Sequence, residues 1–599
     1  ICLMHREQVQ CKMFKGLKWL FISPFLTSLL FCGHPISIDG LFSDWDNVDL
    51  AYQDIEDDDI DADYSTLKIT YDSEFLFIYF NFYNGEFLMQ DWNQFRLYID
   101  ADNDSSTGHS VHGIGAELEW VFGNRLGYMY VDGQQTELYQ NDLTLRIAPT
   151  ITSTEFEIAI ARESSPLTIN NSQSLIQGKV VFSEIEEGGD LIPDESGGVS
   201  FTIGEDFVSD PQPITLERRN ENNIRVVSYN TWNEGILDSE RQIHFKRILQ
   251  ALDPDIIALQ EHADWEEIDD IIQSWFPEEQ WHASWTHNDL VVLSRFQITN
   301  DASIISSGRT MAALLDTEEE LGKNLLIFNS HLSCCDNNEA RQQQVDEFSG
   351  EWRNWVKDES GPFPIDYGTP FIHLGDFNYV GYKQQVETIR NGDIQNEGEY
   401  GIDFLPDWDS TAIVDLFSRH THKRMGYTWR KDGSSFNPGK LDYLFYSDAS
   451  IDTGKHYILN TLAMDELALD YYNLQLDDTQ EASDHLPLVF DIVISDDVGI
   501  APNNVLPGSL MLYPNYPNPF NSTTMISFYL LKSGMVSLSI IDIKGNTVRE
   551  LIHEESPSGD FSINWDGMNH EGESVASGIY FYLLKADGFS IVRKMSLLK

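Results

Sequence analysis

Six short segments, in fixed order between residues 226 and 485, carry the side chains best suited to chemistry. VVSYN ends at Asn230, IIALQEH carries Glu261, NSHL carries His331, and LGDFN carries Asp376 and Asn378. LDYLF carries Asp442, and SDHLP carries Asp484 and His485. Each is an apolar run with its polar residue at or just past an end, the way a buried strand delivers a side chain to the rim of a sheet. The set holds carboxylates, amides and two imidazoles, with no cysteine or serine nucleophile among them. Hard oxygen donors suit Mg2+ or Mn2+, and amide and imidazole donors suit phosphoryl oxygens. The segments therefore predict a divalent-metal-dependent phosphoesterase in which water attacks phosphorus.

The residue types allow a division of labour. Glu261 and Asn230 are the candidates to hold the cation, with Asp484 approaching it directly or through water. Asp376 and Asn378 are one residue apart, so on an extended segment they point the same way. The aspartate can orient or deprotonate the water, and the amide can donate to a phosphate oxygen without adding charge. His331 and His485 are candidate donors that neutralise charge as the pentacoordinate phosphorus forms.

These elements need a scaffold. Between residues 238 and 252 the apolar Ile243, Ile248, Leu249 and Leu252 fall on one helical face, and a second helix is predicted over 339–355. Helices alternating with strands predict two sheets sandwiched between helices. In identity and order the six segments resemble the endonuclease/exonuclease/phosphatase superfamily, which includes DNase I-like nucleases, sphingomyelinases and inositol phosphatases. The resemblance covers essentially all of residues 223–496 and implies an α/β four-layer sandwich. It also implies that Glu261 is the main metal ligand, that His485 touches the scissile phosphate, and that Asp442 fixes the His485 imidazole. Trp429 in GYTWR is similar to a threonine-tryptophan position near the family's substrate rim; a core role is equally open to it.

Flanking regions differ in character. Residues 34–205 read as an all-β sandwich of short strands such as LKITY, FLFIYFNFY and FEIAIAR. Its opening, ISIDGLFSDWDNV, resembles family 9-type carbohydrate-binding modules, which implies a glycan ligand. Trp45, Trp92 and Trp120 are available for sugar stacking or for the core. Asp100, Asp102 and Asp104 alternate on one loop, either as a structural Ca2+ site or as a solvated acidic turn. Linkers are predicted over 206–222 and 497–510. Residues 511–599, with LYPNYPNPFN near the start and VRKMSLLK at the end, resemble the type A sorting domain of the type IX secretion system. That implies a small β-sandwich read by the secretion machinery.

Lys12, Lys15 and Lys18 precede an apolar stretch from Trp19 to Cys32, so residues 1–33 read as a signal peptide region. Both ends thus predict a secreted or outer-surface protein. Among cysteines, Cys334 and Cys335 would remain after cleavage. Three states are open to them: a strained vicinal disulfide, a reduced pair packed under the loop after His331, or a soft-metal site.

The formal net charge of -59 weighs against avid, non-specific attraction to polyanions, although a bound cation can invert the field locally. Substrate classes left open are nucleic acid, a phospholipid head group as in sphingomyelinases, and a small phosphodiester. A catalytically inactive surface adhesion protein, working through its N-terminal sandwich, is the alternative from another class.

Overall fold

Two six-stranded sheets carry the six segments in the computed structural model of the chain. The structure describes residues 30–31, 33–56, 62–168, 175–184, 189–204, 211–263, 265–286, 289–358, 360–493 and stretches between 510 and 597. Almost all of the predicted signal region and most of the 497–510 linker lie outside the described residues. Among the described residues no helix is long and apolar enough to cross a membrane.

The first sheet runs His282–Thr286, Leu290–Ser294, Ile256–Gln260, Ile224–Asn230, Leu488–Val493, Asp452–Ile458. The second runs Ile298–Ser303, Thr310–Leu315, Leu325–His331, Phe371–Asp376, Asp442–Tyr446, Val414–Asp415. Continuous apolar runs such as IIAL form central strands because both faces are covered. Register then does the positioning. The parallel pair Leu325–His331 and Phe371–Asp376 sets His331 beside Asp376, and the next, antiparallel pair sets Asp376 beside Asp442. In the first sheet, Asn230 lies beside Gln260, one residue before Glu261.

Buried amides tie the sheets together. Gln260 Nε2 donates to Asn329 Oδ1 at 2.8 Å, and Asn329 Nδ2 donates to the carbonyls of Leu259 (2.9 Å) and Val291 (3.1 Å). An orphaned amide here would cost about 1–3 kcal/mol, so these bonds specify how the sheets stack.

The helix Gln242–Leu252 covers the first sheet with Phe245, Ile248, Leu249 and Leu252. Ile243, expected on that face, is instead 48% exposed. Phe245 replaces it because positions 245, 248, 249 and 252 keep the i, i+3, i+4, i+7 spacing that 243 breaks. The helix Asn338–Asp358 stacks Phe348 and Trp352 against Phe328 of the second sheet, with ring centroids 5.1 and 5.4 Å away.

The chain divides into two units, Ile1–Pro213 with His422–Lys440, and Ile214–Thr421 with Leu441–Lys599. Two parts of this division differ from the sequence-based boundaries. Residues from 214 onward, expected to be linker, are packed: Leu216 is buried and accepts from Arg225 Nη1 at 2.6 Å. Arg225 needs that carbonyl because it is itself buried, paired bidentately with Asp491 (2.7 and 2.9 Å). Residues 422–440, which include Trp429, belong to the first unit. Gly426 N donates to Ile38 O (2.9 Å), Asn437 N to Gln90 Oε1 (3.1 Å), and the Arg125 guanidinium lies 4.0 Å from the Phe436 ring.

The first unit is an eight-stranded sheet and a five-stranded sheet around an aromatic core that includes Tyr64, Phe80, Phe82 and Phe182. Its opening motif folds around a buried carboxylate: Glu157 accepts from the backbone of Asp39 and Gly40 and from Trp45 Nε1. Trp45 and Trp120 are core residues, whereas Trp92 is exposed. In the second unit, residues 510–597 form a three-stranded and a four-stranded sheet around Trp565, Tyr582 and Phe528.

Candidate active site

Asp376 is the centre of the rim. It is 1% exposed, and its Oδ2 lies 3.6 Å from His485 Nε2 and 3.8 Å from His331 Nε2. Each imidazole is held from behind by a second carboxylate. Asp442 Oδ2 sits 2.8 Å from His485 Nδ1, and Asp289 Oδ2 sits 3.0 Å from His331 Nδ1. A carboxylate on Nδ1 fixes that nitrogen as a donor and turns Nε2 toward the common centre.

Burial alone would lower the pKa of His485, but Asp442 and Asp376 outweigh it and push the imidazole up to about 10. For His331 burial again works downward, and the Asp289 hydrogen bond with the Asp376 charge raises it overall. Burial, followed by the Asp442 charge, raises Asp376 above the usual carboxylate range, against the pull of both imidazoles.

Asn230 joins this centre to Glu261: its Nδ2 donates to Asp376 Oδ2 at 3.0 Å and to Glu261 Oε1 at 3.2 Å. Glu261 Oε2 accepts from Asn233 N at 2.8 Å. The backbone is strained where the site is built, with positive φ at Trp232, Asn233, Glu234, Glu261 and Asn378. Asn378 donates its own backbone N–H to Asp376 Oδ1 (2.9 Å), and its amide reaches Leu332 O (3.2 Å).

The donor set fits a hard divalent cation. The carboxylates of Glu261 and Asp376 converge beside His331, one atom of each lying within 4.8 Å of the others. Two carboxylates converge with one neutral amide between them, a repulsion that a cation relieves. Asp484 stands outside both metal-capable groups of this rim, although its charge acts on His485. Ser483 fixes the turn instead, donating to Asn230 O at 2.8 Å.

Sequence reasoning missed Asp289 and Arg309. Asp289 precedes the run LVVLS rather than ending one, so a search of strand ends passes over it. Arg309 Nη1 donates to His331 O at 3.2 Å and has no sequence signal beyond being basic. Two further polar side chains near the rim strands are structural. His373 is buried, 2.7 Å from Ser330 Oγ, and burial pushes its pKa down to about 3. Arg341, also buried, donates to the carbonyls of Ser333 and Cys335.

Cys334 and Cys335 are free thiols with Sγ atoms 2.7 Å apart. Both are exposed rather than packed under the loop, and neither joins a metal-capable group among the described residues. The Cys334 contact, then burial, pushes the Cys335 thiol up to about 11. In the first unit, Asp100 and Asp102 converge with Glu117, whereas Asp104 is turned away and accepts from Ser106.

Two stacked sheets with a rim of paired imidazoles and carboxylates define a phosphoesterase-type site. Residues 227–485 match the model of the Endonuclease/Exonuclease/phosphatase family, and this match supports hydrolysis of phosphate esters by the region. Residues 519–588 match the FlgD Ig-like domain. No curated protein sequence matches the chain. Similar solved structures include D. rerio TDP2 with a single-strand DNA product, 14% identical, covering 45% of this chain and 99% of that one, TM-score 0.30. ANGEL2, a 2',3'-cyclic phosphatase, is 15% identical over 46% of this chain and 97% of its own, TM-score 0.30. Sphingomyelinase C from Streptomyces griseocarneus is 13% identical over 45% and 99%, TM-score 0.27.

Proposed function

We propose that residues 223–496 form a DNase I-like four-layer α/β domain that hydrolyses a phosphodiester with Mg2+ or Mn2+ and an attacking water. One observation carries this reading: a buried Asp376 within 3.8 Å of two imidazoles, each held by its own carboxylate. Asp376 orients the water and takes its proton. His485 and His331 present Nε2–H groups to phosphoryl oxygens, so they favour the charge that develops in the transition state. Asp442 and Asp289 hold those rings, and Asn230 keeps Asp376 and Glu261 apart. When bound by Glu261 and Asn230, the metal supplies positive charge to a phosphoryl oxygen.

The substrate panel that tests this holds bis-p-nitrophenyl phosphate, p-nitrophenyl phosphate, plasmid DNA, RNA and sphingomyelin, assayed with the full chain. Turnover should require Mg2+ or Mn2+, stop with chelator, and vanish in Asp376→Ala. Metal-independent turnover, or turnover surviving that substitution, would refute the mechanism.

The ends of the chain support a second element of the proposal, export through the signal region and a C-terminal domain read by type IX secretion machinery. The supporting observation is the order of motifs from LYPNYPNPFN to VRKMSLLK. Deleting residues 511–599 should trap the protein inside the cell; unchanged release into the medium would sink this element. For the N-terminal sandwich, exposed Trp92 supports a glycan ligand, tested by retention of Trp92→Ala against wild type on insoluble polysaccharides.

A further inference from the structure

The loop after the strand Phe95–Asp100 gathers carboxylates that the phosphoesterase reading does not use. Asp100, Asp102 and Glu117 each place one oxygen so that all three lie within 4.8 Å of one another. Three negative charges at that spacing repel strongly unless something neutralises them. Asp100 sharpens the point. It is fully buried at the strand end, and its Oδ1 has no hydrogen-bond partner among the described residues. Its Oδ2 accepts a long bond from Gly115 N at 3.4 Å, and the Asn103 backbone and the Lys179 charge also act on the carboxylate. Glu117 Oε1 is likewise buried without a partner, while Oε2 accepts from Ala101 N at 2.8 Å. A buried carboxylate oxygen left bare is costly, and such atoms mark a missing ligand.

The surrounding chain is built to close on this spot. A Cβ at Gly115 would lie 2.3 Å from Thr107 O and 2.5 Å from Asp104 O, so only glycine lets the loop carbonyls approach that strand. Gly108, at φ +59°, stands where a Cβ would come within 2.8 Å of Glu117 Oε1. The Thr107 hydroxyl donates to Asp102, 3.0 Å from both of its carboxylate oxygens, and holds that side chain in place.

We propose that Asp100, Asp102 and Glu117 form a Ca2+ site in the N-terminal sandwich. Oxygen-only donors exclude the soft and imidazole-preferring metals. Several carboxylates on a bent loop suit the larger, geometrically tolerant Ca2+ better than Mg2+, which keeps most of its waters. Asp104, the third carboxylate of the sequence pattern, is not a ligand; Glu117, fifteen residues after Asp102 along the chain but adjacent in space, takes its place.

Calorimetric titration of CaCl2 into the full-length protein, with Mg2+ in excess throughout to fill the catalytic rim, tests the site. Wild type should bind one Ca2+. Asp100→Asn and Glu117→Gln should each weaken binding roughly 100-fold, since each removes a charged ligand. Asp104→Asn should stay within about threefold of wild type, a difference of ~0.7 kcal/mol. Because Asp100→Asn is buried and can fail to fold, Glu117→Gln and wild-type binding stand as independent readouts. Wild type without Ca2+ binding overturns the proposal, as does loss in Asp104→Asn with retention in Glu117→Gln. Binding that survives both ligand substitutions but disappears in Glu261→Gln places Ca2+ at the catalytic rim and overturns it equally.

Discussion

The rim around Asp376 and the loop around Asp100 both gather three or more acidic groups at the end of a strand, yet their surroundings assign them different work. At the rim the carboxylates are interleaved with two imidazoles and an amide, so charge is already half balanced and protons have places to go. At the loop no imidazole or amide is among the grouped ligands, and bare oxygens face one another. The difference teaches that clustered acids alone say only that a cation would be welcome. Chemistry on a phosphate needs, in addition, donors whose protons are held by further carboxylates.

The sharpest way to break this contrast is Asp376→Ala, expected to lower kcat/KM by about 1,000-fold or more by removing the group that positions water. Steady-state kinetics on bis-p-nitrophenyl phosphate would measure it, and a loss under tenfold would dissolve the distinction between rim and loop.

Next in size is the carboxylate behind each imidazole. Asp442 is buried and holds His485, so Asp442→Asn should cost roughly 100-fold, the value of a charged hydrogen bond near 3 kcal/mol. Its alkaline signature is separate. With His485 raised to about 10, the imidazolium persists through neutral pH and is lost only as pH rises through that range. The substitution should draw the alkaline limb of the kcat/KM profile to lower pH.

Asp289 is more open to solvent, 29% against 1% for Asp442. Asp289→Asn should therefore cost only about tenfold, near 1.4 kcal/mol, because solvent screens the pair. Equal losses at the two positions would mean that both imidazoles bear on phosphate alike.

The smallest effect concerns stability rather than turnover. His373 has its pKa lowered from 6.5 to about 3 by burial, so between those values the unfolded chain binds a proton that the folded chain refuses. Stability is full above pH 6.5 and falls as pH drops, by about 2 kcal/mol at pH 5. His373→Leu should flatten that dependence in urea titrations at pH 5 and 7. A slope unchanged by the substitution would assign the acid sensitivity to other groups.

The sequence by itself determined the identity of most of the rim, because an apolar run bounded by a polar residue is a local signal that needs no partner to be read. Asn230, Glu261, His331, Asp376 and His485 came from that signal, Asp442 took its role from the family resemblance, and the structure gathers them. Tertiary structure alone decided the remainder. Asp289, just before a strand of the first sheet, reaches His331 at the end of a strand of the second, a contact between sheets that no local pattern names. Asp484, next to His485 in the chain, is in neither metal-capable group of the rim, although its charge acts on His485. Glu117, rather than Asp104, converges with Asp100 and Asp102: an alternating DADND loop looks complete in one dimension, but its third carboxylate accepts from Ser106, two residues along. Residues 422–440 likewise read as part of the catalytic region and pack with the first unit, because packing follows complementary surface and hydrogen-bond supply, which only the folded chain reveals.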